Sequence, residues 1–265
     1  MVSTTPSQQT LEQSLAGKVA YVPGGSGVLG QAIARGLAAA GAQVVVASPE
    51  EAKLRTLVEA IQAAGGQARA TGLDATSVKD IGRSVDAVCD YFGRCDILVN
   101  CVGIHREQAL LEATEESYDS VITVNLRAGM FLGQAVARRQ VQAGQGGKHV
   151  HILSVRAKLG LQGKGYSAYT SSKGGLAMLV KQHAVELAPH RINVNGVAPT
   201  FVMSEMAGHM LKDPASKAKI IERIPLGRVA DPEDVVGPTL FFASAASDFV
   251  TGQILYVDGG LTACQ

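Results

Sequence analysis

Short apolar runs rich in valine and isoleucine alternate along the chain with longer stretches of alanine, leucine and charged residues. The runs lie at 18–22, 43–47, 67–72, 95–100, 148–154, 191–198 and 253–257. The segments between them carry apolar residues at helical spacing, for example at 33–37 and 51–58. Continuously apolar strands separated by helices are typical of a parallel sheet covered on both faces. The pattern predicts an α/β fold, a doubly wound parallel sheet of about seven strands with helices on both faces.

The beginning of the chain and one internal interval depart from this pattern. Residues 1–16 are mostly polar and predict a flexible arm, whereas 17–265 is expected to form one domain. Between Pro199 and Pro225 there are only weakly helical pieces and no convincing strand. A long connection after the carboxyl end of a parallel strand is the usual place for a ligand-covering segment, so we predict a lid at about 200–226.

Composition and net charge limit the classes of molecule that the protein is expected to bind. Of the 265 residues, 46% are hydrophobic and 18% are charged, which suits a globular protein with a buried core. The 24 basic and 23 acidic residues give a formal net charge of +1, which argues against general binding to nucleic acid or a membrane surface. The four cysteines lack the paired spacing of a zinc or redox site, so no metal is expected. Neither a leader-like segment nor a long apolar span is evident, and we expect a cytoplasmic protein.

A glycine-rich segment follows the first predicted strand. Residues 23–30 read Pro-Gly-Gly-Ser-Gly-Val-Leu-Gly, and a helical pattern comes next. Gly25, Gly27 and Gly30 fit the Gly-x-Gly-x-x-Gly spacing of dinucleotide-binding loops. Such glycines allow a tight turn and a close approach of the backbone to a pyrophosphate, while the helix N-terminus offers unpaired N–H groups. The segment predicts a dinucleotide site in a Rossmann-type sheet.

The end of the second strand bears on which dinucleotide is used. An acidic residue there holds the ribose 2′-hydroxyl of NAD, and an arginine favours the 2′-phosphate of NADP. Here the strand ends at Ser48, followed by Pro49, Glu50 and Glu51. Two glutamates with no adjacent cation disfavour a doubly charged phosphate, so NAD is preferred over NADP. Ser48 is also expected to cap the next helix, with Pro49 at its first position.

A tyrosine, a lysine and a serine supply candidate chemistry. Tyr169 and Lys173 are four residues apart at the start of a long helical segment, so they share a helix face. A phenol with its usual pKa of about 10 is a poor base at neutral pH, and a nearby ammonium group favours the phenolate. The strand at 149–153 delivers Ser154 to its carboxyl end, where the hydroxyl is able to hold a substrate oxygen.

Together with the glycine loop, these residues make the chain resemble the short-chain dehydrogenase/reductase family from Lys18 to Gly260. Further segments are similar to landmarks of that family. They are Asn-Cys-Val-Gly at 100–103, Val-Asn-Leu at 124–126, Arg-Ile-Asn-Val-Asn at 191–195 leading to Pro199, and Val-Asp-Gly-Gly at 257–260.

The resemblance implies hydride transfer between a carbinol carbon and the nicotinamide of NAD or NADP. It implies four catalytic residues: Tyr169 as general acid and base, Lys173 holding the ribose, Ser154 fixing the substrate oxygen, and Asn125 holding a proton-relaying water. The implied cofactor-binding residues are Gly24, Ser26, Gly27, Val28, Leu29, Gly30, Ser48, Asp74, Ala75, Asn100, Val102, Gly103, Tyr169, Lys173, Pro199, Thr200 and Val202.

The chain departs from the family pattern in four places, one of which is Thr200 after Pro199, where a glycine is commoner. Pro23 stands where a threonine is usual, and Val28 stands where a glycine is usual, which leaves the shape of the loop open. The separation between Ser154 and Tyr169 is wider than usual, so the loop between them is expected to carry an insertion.

Residues beyond the core motifs indicate the substrate class. His105 and Arg156 are expected to converge on an anionic or polyhydroxylated substrate, and Lys158 and His209 are further candidates. The stretch from Ser154 to Tyr169 and the segment 198–202 look most like those of sugar, polyol and sugar-acid dehydrogenases. The resemblance therefore implies a secondary alcohol and its ketone, or a hemiacetal and its lactone, on such a substrate.

Two other functions and the assembly stay open. One alternative is a 3-oxoacyl-thioester or aliphatic ketone reductase that uses NADPH. The other is a non-catalytic dinucleotide-sensing protein on the same fold. The resemblance also implies a homotetramer or homodimer, with contacts through the long helices within 107–143 and 166–189.

Overall fold

The computed structural model describes residues 14–203 and 213–264. The strands in this part of the chain are β1 (Val19–Pro23), β2 (Gln43–Ser48), β3 (Gln67–Gly72), β4 (Ile97–Asn100), β5 (Gly147–Ile152), β6 (Ile192–Pro199) and β7 (Ile254–Val257). The α-helices are α1 (Val28–Ala39), α2 (Glu51–Ala63), α3 (Val78–Phe92), α4 (Glu115–Ile122), α5 (Ala128–Ala143), α6 (Ser167–Leu187), α7 (Pro214–Glu222) and α8 (Val236–Ala243). Among these helices, none combines the length and the apolar character needed to cross a membrane.

The strands form one parallel sheet in the order β3-β2-β1-β4-β5-β6-β7. Each predicted apolar run overlaps one of these strands, and the predicted doubly wound α/β fold is confirmed. The strand order reverses between β1 and β4, so the connections from their carboxyl ends diverge and leave a crevice.

Side chains of the strands alternate between two apolar layers. On β2, Val44 and Val46 pack with the helices α1, α2 and α8. Val45, between them, packs with α3 and α5 on the opposite face. Farther along the sheet, Leu176 and Val180 of α6 cover β6. Burial on both faces explains why β1, β2 and β4 are apolar at successive positions, whereas the edge strand β3 alternates between exposed and less exposed residues at its start.

The predicted helix cap at Ser48 is wrong. Ser48 is the last residue of β2 and pairs with Gly72 of β3. The helix α2 begins at Glu51, with Glu50 at the N-cap position and no capping side chain. The Ser48 hydroxyl accepts a hydrogen bond from the Glu50 backbone N–H at 3.0 Å, so it stabilises the turn before the helix. Sheet pairing extends one residue farther than the local sequence indicates.

The predicted lid is only partly described. After β6, the backbone of Val202 forms a parallel bridge with Ala230. The helix α7 begins after Asp213, whose carboxylate accepts a hydrogen bond from the backbone N–H of Ser216 at 2.9 Å. The predicted substrate contact His209 and the first 13 residues of the predicted arm lie outside the described residues. The arm and the lid stay predictions.

Three histidines are buried where the helices α5 and α6 pack against β5. His149 and His151 lie on β5, and His183 lies on α6. His149 Nε2 is 3.0 Å from Gln140 Oε1, and His151 Nδ1 is 3.2 Å from the amide nitrogen of Asn100. Burial lowers the pKa of all three rings, to about 3 for His149.

We expect the free energy of unfolding to fall as the pH drops below about 6.5, the usual pKa of histidine. In the unfolded chain these rings take up protons near that pH, whereas in the folded protein burial lowers the pKa of His149, His151 and His183 and so shifts their protonation to lower pH. The unfolded state then binds more protons, at a cost of up to about 1.4 kcal/mol per histidine per pH unit. Urea unfolding between about pH 5 and pH 7.5 measures this slope.

The variant His183→Gln is expected to have a shallower slope than the wild type because one buried ring is removed. His190, which is exposed, supplies the control His190→Gln, whose slope is expected to match the wild type. Equal slopes for all three proteins would contradict the assignment of the acid sensitivity to the buried histidines.

Candidate active site

A cavity of about 390 Å³ opens at the carboxyl ends of β1, β4, β5 and β6. Its walls are the glycine loop after β1, the segments after β4 and β5, the first turns of α6, and the residues after β6. It therefore lies in the crevice where the strand order reverses, as expected for a ligand site in an open α/β sheet. Within the described residues, no group of three histidine, cysteine, aspartate or glutamate side chains is arranged to hold a metal ion.

Many of the predicted site residues share this cavity. Those that line it are Gly24, Ser26, Gly27, Val28, Leu29, Gly30, Gly103, His105, Ser154, Arg156, Tyr169, Lys173, Pro199, Thr200 and Val202. The described residues that were predicted for the site but do not line it are Ser48, Asp74, Ala75, Asn100, Val102, Asn125 and Lys158.

Several residues outside the lining have structural partners instead. Asn100 Oδ1 accepts a hydrogen bond from the backbone of Val102 at 3.1 Å and so holds the turn after β4. Asp74 accepts hydrogen bonds within its own turn after β3. Lys158 is exposed, and its ammonium group lies 5.5 Å from the centre of the Tyr256 ring.

The glycine loop is packed too tightly for side chains at several positions. Gly24 has a φ of +80°, and a Cβ there would come within 2.6 Å of the carbonyl carbon of Cys101. A Cβ on Gly30 would overlap the carbonyl oxygen of Gly24, and one on Gly25 would approach β2 within 2.8 Å. A Cβ on Gly27 would make only an ordinary contact of 3.5 Å. The packing thus requires Gly24, which the Gly-x-Gly-x-x-Gly pattern leaves out, and does not require Gly27.

The loop fits the pyrophosphate of a dinucleotide. The helix α1 begins at Val28, and no side chain caps its N-terminus. Uncapped N–H groups in the first turn of a helix are suited to bind phosphate. On the other wall, Thr200 Oγ1 is buried and has no hydrogen-bond partner among the described residues. A buried polar atom without a protein partner is expected where a ligand supplies one.

Glu50 is a charged wall residue that the predicted site lacks. Its carboxylate accepts a hydrogen bond from Ser26 Oγ at 2.6 Å and pairs with Lys53 Nζ at 2.8 Å. The hydrogen bonds from Lys53 and then Ser26 lower the pKa of Glu50, so the carboxylate is ionised at neutral pH. Its position in the sequence, two residues after the end of β2, is where a residue near the cofactor ribose is expected, so Glu50 could have been included in the predicted site.

Tyr169, Ser154 and Lys173 meet at the centre of the cavity wall. Desolvation raises the pKa of Tyr169 to about 12, and a hydrogen bond with the Ser154 side chain opposes that rise. Lys173 Nζ donates to the carbonyl oxygen of Ile152 at 2.9 Å and lies 5.8 Å from the centre of the Tyr169 ring. Burial lowers the pKa of Lys173 to about 8. The phenol is thus protonated and the amine mostly charged near neutral pH.

Asn125 lies behind this group, in a wide π-helical turn at Thr123–Arg127 that joins α4 to α5. The side chain is fully buried. Its Oδ1 accepts from the backbone N–H of Ile104 at 2.8 Å, and its Nδ2 donates to the Ile104 carbonyl oxygen and to Ser172 Oγ, both at 2.9 Å. Asn125 therefore links the segment after β4 to α6, next to Lys173.

Two rings pack against Tyr169 in the part of the cavity beyond Ser154. The ring centres of His105 and Tyr166 are 4.0 Å apart, and those of His105 and Tyr169 are 5.1 Å apart. Both ring nitrogens of His105 are buried without a hydrogen-bond partner among the described residues. Tyr166 was not predicted, although its place one helical turn before Tyr169 is visible in the sequence.

Comparison with known proteins identifies relatives along most of the chain. The family described as enoyl-(acyl carrier protein) reductase matches residues 26–262. The chain is 36% identical over 248 residues to the 5-keto-D-gluconate 5-reductase of Escherichia coli strain K12, covering 94% of this chain and 96% of the relative. It is 37% identical over 250 residues to the 2-dehydro-3-deoxy-D-gluconate 5-dehydrogenase of the same strain, covering 93% and 96%.

A solved structure has the same fold. The crystal structure of a gluconate 5-dehydrogenase from Burkholderia cenocepacia J2315, in complex with NADP and tartrate, matches with a TM-score of 0.91 and 34% identity. The match covers 96% of this chain and 99% of that chain. Since the sequence and structural matches both extend over almost the whole chain, the resemblance drawn from the motifs is confirmed, and the protein belongs to the short-chain dehydrogenase/reductase family of NAD(P)-dependent oxidoreductases that act on CH–OH groups.

Proposed function

We propose that the protein interconverts a secondary alcohol and a ketone on a sugar acid, with NAD or NADP as the hydride carrier. The observation that carries this proposal is the shared cavity, in which Ser154, Tyr169 and Lys173 adjoin the buried polar groups of His105 and Arg156. Relatives named for gluconate and its keto derivatives support the same substrate class.

In this mechanism Tyr169 moves a proton at its phenolic oxygen. During ketone reduction the protonated phenol gives its proton to the carbonyl oxygen of the substrate. During alcohol oxidation the phenol first loses its proton towards the water that Asn125 is proposed to order, and the phenolate then accepts the hydroxyl proton of the substrate. Ser154, whose side chain is hydrogen bonded to Tyr169, holds the same substrate oxygen. When bound, the nicotinamide supplies or accepts the hydride.

Lys173 and Asn125 support that proton transfer. The positive charge of Lys173 stabilises the phenolate of Tyr169 and, with the cofactor present, its ammonium group holds the ribose. Asn125 is held by Ile104 and Ser172, and we propose that it orders a water through which protons leave the site. The pyrophosphate would lie on the glycine loop and the N-terminus of α1, with Thr200 available to the nicotinamide end.

A substrate panel tests the proposed function. We expect turnover with aldonates and keto-aldonates and much lower kcat/KM with unsubstituted aliphatic ketones, because the His105 ring nitrogens and the Arg156 guanidinium are left unpaired by an apolar substrate. The measurement is the rate of NAD(P)H absorbance change with each cofactor. Higher kcat/KM with a 3-oxoacyl thioester and NADPH would favour the reductase alternative, and cofactor binding without turnover of any substrate would favour a sensing protein.

For the cofactor, we propose a preference for NAD over NADP. Glu50 lines the cavity beside Ser26, and its lowered pKa keeps it charged. A carboxylate about 6 Å from a phosphate dianion is repelled by about 1.4 kcal/mol even in a water-like dielectric. The expectation that no cation is adjacent to Glu50 is wrong, because Lys53 lines the same cavity and pairs with Glu50, and it offsets part of this repulsion. Solved relatives have been crystallised with NADP bound. The preference for NAD is therefore proposed for this chain alone and has to be measured on it.

The variant Glu50→Gln is expected to shift the ratio of kcat/KM for NADP over NAD towards NADP by about tenfold, since it removes the charge and keeps the shape. Steady-state kinetics with both cofactors measure the ratio. Glu51→Gln is the matched control because Glu51 is the exposed first residue of α2 and does not line the cavity. An unchanged ratio in Glu50→Gln would contradict the role of Glu50.

We also propose a homotetramer or homodimer assembled through α5 and α6. Met178 and Val185 on α6 are 61% and 71% exposed, and Val141 on α5 is 40% exposed. Apolar side chains in such numbers on adjacent helices favour a protein contact.

A cytoplasmic location stays an expectation from the sequence.

A further inference from the structure

Arg156 is a buried cation whose hydrogen bonds are only partly made. It follows Ser154 by two residues and is 4% exposed. Its Nη1 donates to the carbonyl oxygens of Leu159, at 3.4 Å, and Gly160, at 2.5 Å. Its Nη2 is buried as well, yet within 14–203 and 213–264 it has no hydrogen-bond partner. Buried charges are otherwise paired or fully hydrogen bonded, because removing them from water is costly.

No carboxylate of the described residues neutralises this guanidinium, since none of their ion pairs includes Arg156. Burial and then the positive charge of Arg223 lower the pKa of Arg156. Arg223 directly follows α7 and is exposed. The ring centre of Phe201 lies 5.8 Å from the guanidinium carbon, so an apolar group lies against the same cation. The positive charge of Arg223, which does not line the cavity, thus adds to that of Arg156, and no ion pair of the described residues includes either arginine.

We propose that Arg156 forms a receptor for the carboxylate of the substrate, in which its Nη2 donates to a carboxylate oxygen and the positive charge of Arg223, outside the cavity lining, adds to the attraction. This assignment rests on the proposed function and adds the group by which the substrate is selected. A guanidinium suits the task because its planar fork matches a carboxylate, and the carbonyl oxygens of Leu159 and Gly160 already fix the plane of the fork.

The receptor and the reacting centre are built on one short turn. The backbone N–H of Arg156 donates to Ser154 Oγ at 3.1 Å, and the helical turn Val155–Ala157 joins the two residues. The separation between a bound carboxylate and the substrate oxygen held by Ser154 is therefore set by a rigid piece of backbone. The receptor thus selects an acid whose reacting carbon lies at a fixed distance from its carboxylate.

The test compares D-gluconate with D-glucitol, which has the same carbon chain but a hydroxymethyl group in place of the carboxylate. Calorimetry measures the binding of each to the protein saturated with NADH, since an alcohol and a reduced cofactor do not react. We expect gluconate to bind about 10- to 100-fold more tightly than glucitol, the range for a hydrogen bond to a charged group. The difference is expected to shrink at high salt.

In Arg156→Gln we expect this preference to be lost and glucitol affinity to stay within about twofold of the wild type. Arg223→Gln is expected to reduce the preference about threefold, because an exposed charge is screened by solvent. It reports on the receptor even if the buried substitution prevents folding. Arg55→Gln, at an exposed position of α2 outside the cavity, is the matched control and is expected to retain the full preference.

Equal binding of gluconate and glucitol by the wild type would overturn the receptor, as would equal losses of both affinities in Arg156→Gln. With either of these binding results, turnover of an aldonate or a keto-aldonate would leave the proposed function intact. Conversely, the protein could bind gluconate through Arg156 and yet oxidise no aldonate and reduce no keto-aldonate. That result would support the receptor and refute the proposed function.

Discussion

Replacement of Tyr169 by phenylalanine is expected to lower kcat by about 1,000-fold in both directions of the reaction. The ring contacts with His105, at 5.1 Å, and with Lys173, at 5.8 Å, stay in place, so the change removes only the hydroxyl that carries the proton. Cofactor affinity and the melting temperature are expected to change little. The loss then reports on proton transfer and not on binding or folding.

Single-turnover and steady-state rates at saturating cofactor measure this effect. Tyr118→Phe is the matched control, since Tyr118 is 46% exposed on α4 and its variant is expected to keep the wild-type rate. Wild-type turnover in Tyr169→Phe would assign the proton to another group. The phenol of Tyr166, 6.0 Å away between ring centres, would then be tested by the same substitution.

Gly24→Ala is expected to destabilise the protein by about 2–5 kcal/mol, the sum of left-handed strain and overpacking. The alanine would have to adopt a φ of +80° and place its Cβ within 2.6 Å of the carbonyl carbon of Cys101. Relief of that overlap requires the loop after β1 to move away from the end of β4. Because the same loop forms the proposed pyrophosphate site, the affinity for NAD is expected to fall as well.

Urea unfolding and cofactor titration measure the two effects. Gly82→Ala is the matched control for stability, because Gly82 lies within α3 and a Cβ there would meet no atom within 4 Å. It is expected to stabilise the protein by up to about 1 kcal/mol through helix propensity. A Gly24→Ala protein as stable as the wild type would show that the loop adjusts without cost.

The central part of the sheet was predictable from the sequence because strands such as β1, β2 and β4 are buried on both faces. Val44, Val45 and Val46 each lie against a helix layer, so the run has no polar position to obscure it. The start of α2 was not predictable to the residue, because Ser48 is retained in the sheet by its pairing with Gly72. That pairing depends on a strand far along the chain, which the local sequence does not reveal.

The candidate site was predictable where a motif is local and less so where folding brings residues together. Tyr169 and Lys173 share one helix turn and were found from their spacing. The requirement for glycine at Gly24 comes from its contact with Cys101, on another strand end. The half-made hydrogen bonds of Arg156 likewise depend on burial, which no spacing in the sequence expresses.

The π-helical turn at Thr123–Arg127 has a consequence for how the chain tolerates insertions and deletions. A wide turn of this kind accommodates one residue more than a regular α-helix of the same length. Loss of one residue there would restore a regular helix with α4 and α5 close to their present orientation, and it would shift the side chains within the turn by one position, about 100° around the helix axis. Asn125 would then leave its contacts with Ile104 and Ser172. The extra residue is thus a fixed element of the active-site architecture, and alignments that close it as a gap would misplace Asn125.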